Sequence, residues 1–151
     1  MTRKISNALA RIKLGLQRTV ELGNLTAQRD WGFAPEYVEA MWLMLQHSES
    51  EDFVVSTDET HSVMEFVQLA CNYGDLDPKQ VVAKNDRYLR PIDVNWLRGD
   101  STKAKQILKW EPKVTFKGLC GIMVQKDIER WQAHLYGKIF PWDAINDPSI
   151  Y

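Results

Sequence analysis

Hydrophobic side chains recur at intervals of three and four residues near both ends of the chain. Residues 4–17 show this spacing, and Gly15 sits where the predicted helix would end. Residues 115–135 show it again, with Thr115 in the position of an N-cap. The apolar stripe of this second helix comprises Leu119, Ile122, Met123, Ile128 and Trp131. Both segments are predicted to be amphipathic helices that bury one face.

The middle of the chain carries signals for further helices. Pro35 suits the first turn of a helix that is apolar around most of its circumference, which predicts that this helix is buried. Ser62 and Glu65 have the spacing of a capping box, so they are predicted to open a helix that ends near residue 74. Residues 101–110 predict one more, shorter helix.

Short apolar runs predict three strands. The first lies in residues 19–25 and leads into a Gly-Asn turn, and another lies around residues 81–82. Residues 52–57 (DFVVST) are apolar without alternation, which is typical of a strand buried on both faces of a parallel sheet. Residues 87–100 are predicted to be irregular because Pro91 interrupts them. The chain thus has mixed α and β structure, and the strand at 52–57 has few neighbours to pair with.

Composition narrows the class of protein. The 151 residues fit one domain, and the net charge of −1 argues against bulk binding to nucleic acid. No apolar run approaches the roughly 20 residues of a membrane span, and the first residues lack the apolar core of a signal peptide. Cys71 and Cys120 are predicted to be free thiols in a cytoplasmic protein, and no zinc-site spacing is present. Six tryptophans are predicted to fill the core or an interface.

Two segments carry a resemblance to a known family. They read GNLTAQRDWGFAPEYVEAMWLML and RYLRPIDVNWLRGDSTKAKQILKWEPKVTF, and with the flanking MTRKI and HSVMEFV they closely resemble the GDP-mannose 4,6-dehydratases. These belong to the extended short-chain dehydrogenases/reductases. The resemblance covers residues 1–131 and implies the C-terminal, substrate-binding half of such an enzyme. Residues 132–151 form a separate aromatic tail within the single module 1–151. The implied fold class is mixed α/β, with one or two strands that belong to the Rossmann sheet of the other half.

The resemblance also implies what this half does not supply. The family is a lyase of nucleotide-sugar metabolism, in the route to GDP-fucose, and it uses NADP held by a Gly-rich loop in the Rossmann half. It also uses a Tyr-x-x-x-Lys pair as its base. Neither pattern occurs in this sequence. We therefore expect these 151 residues alone to be inactive and to need NADP only together with a cofactor-binding half.

Four charged residues of the implied site concern the nucleotide sugar. By resemblance, Arg29 and Arg90 contact the diphosphate, Lys4 lies on the nucleotide side, and Asp93 meets the ribose hydroxyls. Arginine suits this task because its planar fork of donors matches phosphate oxygens. The residues by themselves leave alternatives open. Arg29 could be a surface arginine or could pair with Asp30, Lys4 could be an ordinary helix-face lysine, and Asp93 could orient its neighbours.

Three more residues are implied by resemblance. Gly23 and Asn24 form part of the loop around the base, and Arg3 contacts the cofactor rather than the substrate. No metal ligand and no catalytic residue is assigned in this chain.

Three functions fit the sequence. The first is a GDP-mannose-binding half that acts with a separate Rossmann-half polypeptide. The second is a non-enzymatic GDP-sugar binder or an oligomerising module of the same origin. The third is a remnant that keeps the fold as an α/β dimer without a ligand. An unpaired strand edge at residues 52–57 favours association with a partner or with a second copy.

Overall fold

A computed structural model describes residues 1–90 and 92–138. Within them lie six α-helices, four short strands and a 3₁₀ helix at Asp86–Tyr88. The helices are α1 (Thr2–Lys13), α2 (Ala34–Gln46), α3 (Val63–Gly74), α4 (Pro78–Val81), α5 (Thr102–Ile107) and α6 (Phe116–Leu135). The strands are β1 (Val20–Leu22), β2 (Gln28–Arg29), β3 (His61–Ser62) and β4 (Val82–Lys84).

The main core lies between three helices and a small parallel sheet. Helices α1, α3 and α6 pack against one another, and β1 pairs with β4 in parallel, with Val20 opposite Val82. The apolar faces of all three helices meet here, and their largest fully buried apolar side chains are Ile5, Leu9, Phe66, Val67, Cys71, Cys120 and Val124. Most of the apolar residues that recur at helical spacing in the sequence are ones that these helices bury against one another.

Helix ends follow the local signals of the sequence. Helix α3 begins at the predicted capping box, in which Ser62 Oγ accepts a hydrogen bond from Glu65 N at 3.1 Å. Helix α6 begins after Thr115, whose Oγ1 accepts from Gly118 N at 3.2 Å. Gly15 follows the end of α1 with a φ of +74°, a conformation that glycine adopts without strain. These boundaries confirm the predictions.

A second, smaller core joins α2 to α5. Ala40, Ala104, Leu108 and Trp110 are buried there, and Trp110 Nε1 donates a hydrogen bond to the carbonyl oxygen of Glu36 at 2.9 Å. One carboxylate oxygen of Glu36 also accepts from two backbone N–H groups, those of residues 113 and 114. Helix α2 is thereby fixed to the chain that leads into α6.

The prediction that α2 is buried is wrong. Its outer face presents apolar side chains at helical spacing, here called the α2 stripe, and their exposed fractions are 61% for Val38, 59% for Met41, 59% for Trp42 and 82% for Leu45. Only Glu36 and Ala40 of this helix are buried. Ile122 of α6, predicted in the buried stripe, is also exposed. A helix that is apolar all round needs partners on every side, and the described residues provide them for one face only.

Residues 52–57 do not form a strand. They have no ladder partner among the described residues, and Val54 is exposed while Phe53 and Val55 are half-buried against the second core. A strand needs a neighbour whose N–H and C=O groups complete its hydrogen bonds. The expected burial on both faces is therefore not observed.

A small antiparallel ladder holds the segment that follows β1. Gln28 of β2 lies opposite Ser62 of β3, and Gln28 also bridges to the irregular segment around Trp96. Gln28 N donates to Asn95 O at 2.8 Å, and Leu97 N donates to Gln28 O at 3.2 Å. The loop after β1 and the segment 93–97 are thus held side by side.

The remaining predictions concern a membrane and the tail. No helix of the described residues is both long and apolar enough to cross a bilayer. Of the predicted tail, residues 132–135 form the end of α6, and residues 139–151 lie outside the described part of the chain.

Candidate functional site

Asn24 organises the turn after β1. Its Oδ1 accepts hydrogen bonds from Thr26 N at 3.0 Å, from Thr26 Oγ1 at 2.8 Å and from Ala27 N at 3.3 Å. This Asx-type turn is the local arrangement that asparagine favours. The amide nitrogen Nδ2 remains available and donates to Asp93 Oδ2 at 3.1 Å. One side chain therefore shapes the turn and also reaches a residue distant in sequence.

Arg29 lies on the other side of Asp93. Its Nη2 donates to Asp93 Oδ1 at 2.8 Å, and its Nη1 donates to the carbonyl oxygens of Gln28 and Val94. The two side chains of this ion pair are 24% and 21% exposed. Asn24, Arg29 and Asp93, here called the Arg29 cluster, are thus three predicted site residues that the structure brings together. Arg29 pairs with Asp93 rather than with Asp30.

Lys4 and Gly23 meet at a residue that the sequence did not single out. Lys4 Nζ lies 3.5 Å from the ring centroid of Tyr88, a cation–π contact. A Cβ atom at Gly23 would lie 2.4 Å from the carbonyl oxygen of Tyr88, so only glycine fits there. Burial lowers the pKa of Lys4, and the nearby carboxylate of Glu21 opposes that shift. The 3₁₀ turn that carries Tyr88 is the link between these two predicted residues.

The two remaining predicted residues lie apart from the cluster. Arg90 is exposed, and no hydrogen bond or ion pair within residues 1–90 and 92–138 joins its side chain to the Arg29 cluster. Arg3 Nε lies 3.3 Å from Asp127 Oδ1, and Asp127 also accepts from the hydroxyl of buried Ser6 at 2.6 Å. Arg3 therefore takes part in the contact between α1 and α6. Its cofactor role and the diphosphate role of Arg90 stay predictions.

Asp30 forms a network of its own. Its Oδ1 accepts from Thr57 N at 2.9 Å and from Thr57 Oγ1 at 2.7 Å. Its Oδ2 accepts from the backbone N–H groups of Asp58 at 3.1 Å and Gly99 at 3.4 Å. The carboxylate thus ties three chain segments together. Asp30 is adjacent to Arg29 in sequence, but both of its carboxylate oxygens accept from other segments, so it does not pair with Arg29.

Asp58 extends this network and has a φ of 63°, in the left-handed region. Its carboxylate accepts hydrogen bonds from Ser56 Oγ, Ser101 N, Ser101 Oγ and Lys105 Nζ. Burial would raise the pKa of Asp58, but the bonds from Lys105, Ser101 and Ser56 outweigh it and hold this pKa well below its usual range. No motif in the sequence identified this residue.

A cavity of about 460 Å³ borders this network. Its lining residues are Asp58, Trp96, Arg98, Gly99, Asp100 and Thr102. None of the seven predicted site residues is among them. The Arg29 cluster is accordingly a half-buried surface site and not part of this cavity.

The guanidinium of Arg29 is a group that can recognise an anion. A guanidinium fixed by two carbonyl oxygens presents its remaining donors in a set direction, which suits a phosphate group.

Burial raises the pKa of Cys71 to about 11 and that of Cys120 to about 12, so neither thiol is ionised at neutral pH. Burial, with the carboxylates of Asp30, Glu36 and Asp58, raises the pKa of Tyr37 to about 12. No described cluster of His, Cys, Asp and Glu side chains could hold a metal ion.

Known proteins resemble this chain in sequence and in fold. The sequence model of the family described as GDP-mannose 4,6 dehydratase matches residues 1–123. The chain belongs to this family. GDP-mannose 4,6 dehydratase 1 of Arabidopsis thaliana is 52% identical over 129 residues, which cover 85% of this chain and 36% of the relative. The Homo sapiens GDP-mannose 4,6 dehydratase is 46% identical over 146 residues, 85% of this chain and 39% of the relative. The family resemblance is thereby confirmed.

The match covers only part of each relative. A GDP-mannose 4,6-dehydratase of Vibrio cholerae is 35% identical, and the matched part is 95% of this chain but 46% of that relative. The chain thus spans less than half the length of each of these three dehydratases.

Solved structures agree on the fold. RMD from Pseudomonas aeruginosa, complexed with NADPH, matches with a TM-score of 0.75 at 20% identity, over 85% of this chain and 42% of that one. A UDP-glucose 4-epimerase from Thermotoga maritima with UDP-glucose matches with a TM-score of 0.66 at 25% identity, over 83% and 38%. The chain therefore has the fold of the matched part of these short-chain dehydrogenase/reductase enzymes.

Proposed function

We propose that this chain binds a GDP-sugar of the GDP-mannose type and acts with a cofactor-binding half in converting GDP-mannose to GDP-4-keto-6-deoxymannose. Arg29 contacts the diphosphate, and Asn24, Gly23 and Lys4 lie around the nucleoside. NADP belongs to the cofactor-binding half, with Arg3 as its one contact in this chain. Two buried, unpaired thiols are consistent with a reducing compartment such as the cytoplasm.

The Arg29 cluster is the observation that supports this proposal most strongly. Its three members were assigned to the nucleotide sugar by family resemblance, and they come from segments more than 60 residues apart in sequence. An ion pair that served only stability would have no reason to join three residues assigned to the same ligand. The contacts of Lys4 of α1 and of Gly23, which follows β1, with Tyr88 add two more predicted residues.

Two surfaces support the need for a second half. The α2 stripe presents four large apolar side chains at spacings of three and four residues, on a helix whose other face is already buried. The apolar segment 52–57 lacks a ladder partner within the described residues. An apolar helix face and an unpaired apolar segment are two features that packing against a sheet would satisfy. The matched relatives are more than twice as long as this chain.

Calorimetric titration with GDP-mannose, GDP, UDP-glucose and guanosine tests the binding. We expect GDP-mannose and GDP to bind more tightly than UDP-glucose. Arg29→Ala should weaken GDP binding by about 1.5–3 kcal/mol, or about 10- to 150-fold, because a charged hydrogen bond is lost. The same variant should leave guanosine binding unchanged, since guanosine has no phosphate. Arg18→Ala, at an exposed arginine, is the matched control.

Mixing tests the catalytic part. The purified chain is combined with a polypeptide of the cofactor-binding half of a family dehydratase, and formation of the 4-keto sugar is measured with NADP present. Turnover only in the mixture supports the proposal. GDP-mannose binding without turnover in any mixture would instead support the second candidate, a non-catalytic GDP-sugar binder. One observation favours that candidate: all three residues of the Arg29 cluster belong to this chain, so a second half is not needed to form the cluster. Absence of binding to every nucleotide sugar would contradict both.

A further inference from the structure

Arg29 and Asp93 were both assigned to the ligand, yet in the structure they bind each other. Arg29 Nη2 and Asp93 Oδ1 are 2.8 Å apart. We propose that Asp93 is a placeholder anion: its carboxylate occupies the face of Arg29 that a diphosphate uses, and diphosphate binding displaces it. This inference rests on the proposed function, because it concerns the same site.

The carboxylate is not needed to orient the guanidinium. Arg29 Nη1 donates to two backbone carbonyl oxygens, those of Gln28 at 2.7 Å and of Val94. The backbone that carries these carbonyls is itself fixed, since Gln28 exchanges hydrogen bonds with Asn95 and Leu97. The direction of the arginine fork is therefore set without Asp93, and the carboxylate adds mainly negative charge.

That charge has a role in the free chain. The side chain of Arg29 is 24% exposed, so an unpaired guanidinium there would be only partly hydrated, at a cost in stability. Asp93 neutralises it. A diphosphate carries more negative charge and more acceptor oxygens than one carboxylate, so it competes for the same Nη2 donor.

Asp93 need not leave the site when it is displaced. Asn24 Nδ2 holds the other carboxylate oxygen, Oδ2, at 3.1 Å, and Asn24 is fixed by its own turn. A rotation of the Asp93 side chain would free Oδ1 while the contact with Asn24 persists. The freed oxygen is then available to ribose hydroxyls, so one residue serves the free and the bound states with different partners.

The placeholder role and a simple ligand contact predict opposite signs. Inorganic pyrophosphate has the anionic part of the ligand but no ribose. If Asp93 competes for Arg29, Asp93→Asn should strengthen pyrophosphate binding, because the competing charge is gone while side-chain size is kept. We expect a gain of about two- to fivefold, the scale of a partly exposed ion pair. A residue that only touched ribose would leave pyrophosphate binding unchanged.

The experiment is isothermal titration of pyrophosphate and of GDP into the wild-type chain and the variants at fixed ionic strength. Asp75→Asn is the control, since it removes one carboxylate, which pairs with Lys13 at the end of α3 instead of with Arg29. Asp93→Ser replaces Asp93→Asn if the latter lacks a cooperative thermal transition. Tighter pyrophosphate binding in the Asp93 variant, with no change in the Asp75 variant, supports the inference. Unchanged or weaker pyrophosphate binding while the wild type binds GDP overturns it alone. Failure of the wild type to bind either compound overturns the proposed function as well.

Discussion

Asp58 offers the sharpest test of how this fold is held together. Its carboxylate accepts four hydrogen bonds, one from Ser56 and three that connect it to Ser101 and Lys105 at α5. Its side chain is 22% exposed. Asp58→Asn keeps the size and the tolerance of the left-handed conformation but removes the charge and replaces an acceptor oxygen by a donor. The substitution therefore isolates the ionic part of the network.

The magnitude follows from those contacts. A hydrogen bond to a charged group contributes about 1.5–3 kcal/mol, and bonds that share one carboxylate are not additive. Partial exposure to solvent reduces the sum further. We therefore expect Asp58→Asn to lower the free energy of unfolding by about 2–3 kcal/mol at pH 7.

The pH dependence has a definite sign. The pKa of Asp58 is depressed in the folded chain, so its contribution is present in full above the pKa of an unfolded aspartate, about 4. It is lost as the pH falls from there toward the lower folded-state pKa. The difference between wild type and Asp58→Asn should accordingly be constant between pH 7 and 5 and should narrow toward pH 3.

Urea denaturation followed by tryptophan fluorescence measures this at each pH. Asp75 provides the matched control because it also has a left-handed φ, 54°, and a lysine partner, but its side chain is 85% exposed. Asp75→Asn should not change the unfolding midpoint measurably. The reasoning is refuted if the two variants behave alike, or if the Asp58 difference does not depend on pH.

Two further pairs of variants test close packing and burial. Gly23→Ala should destabilise the chain by about 1–3 kcal/mol, because the added Cβ would collide with the backbone of Tyr88. Gly118→Ala in α6 should stabilise the chain by about 0.5–1 kcal/mol, because the added Cβ makes only ordinary contacts. Thermal unfolding measures both changes in stability, and a loss of stability in both variants would contradict this expectation. Trp110→Ala should lower the free energy of unfolding by about 3–5 kcal/mol, since Trp110 is 2% exposed and hydrogen-bonded. Trp42→Ala, at an exposed tryptophan, should lower it by about 0.5 kcal/mol or less. Equal losses for the two variants in urea unfolding would show that the α2 stripe is buried in solution.

The sequence predicted the helices well because their signals are local. The period of α1 and α6, the capping box at Ser62 and the cap at Thr115 each depend on residues within one or two turns of one another. The parallel pair of β1 and β4 was foreseen as two strands, although not as partners. The family was recognised from contiguous motifs, which the match over residues 1–123 confirms.

Burial and pairing were predicted less well because they depend on distant neighbours. Helix α2 and residues 52–57 have the apolar composition of buried elements, but composition cannot say whether the covering surface belongs to residues 1–90 and 92–138. The Asp30 and Asp58 network was missed for a related reason. Its donors come from residues 56–58, 99, 101 and 105, and no periodicity marks them.

The sequence by itself determined the family, the positions of the main helices and which residue types could hold an anion. Only the tertiary structure decided that Arg29 pairs with Asp93, 64 positions away, instead of with its neighbour Asp30. Helix caps and periodicity are set by backbone geometry over a few residues, so they can be read along the chain. Charge pairing depends on which side chains the fold brings within about 3 Å, and only the packed chain determines that distance.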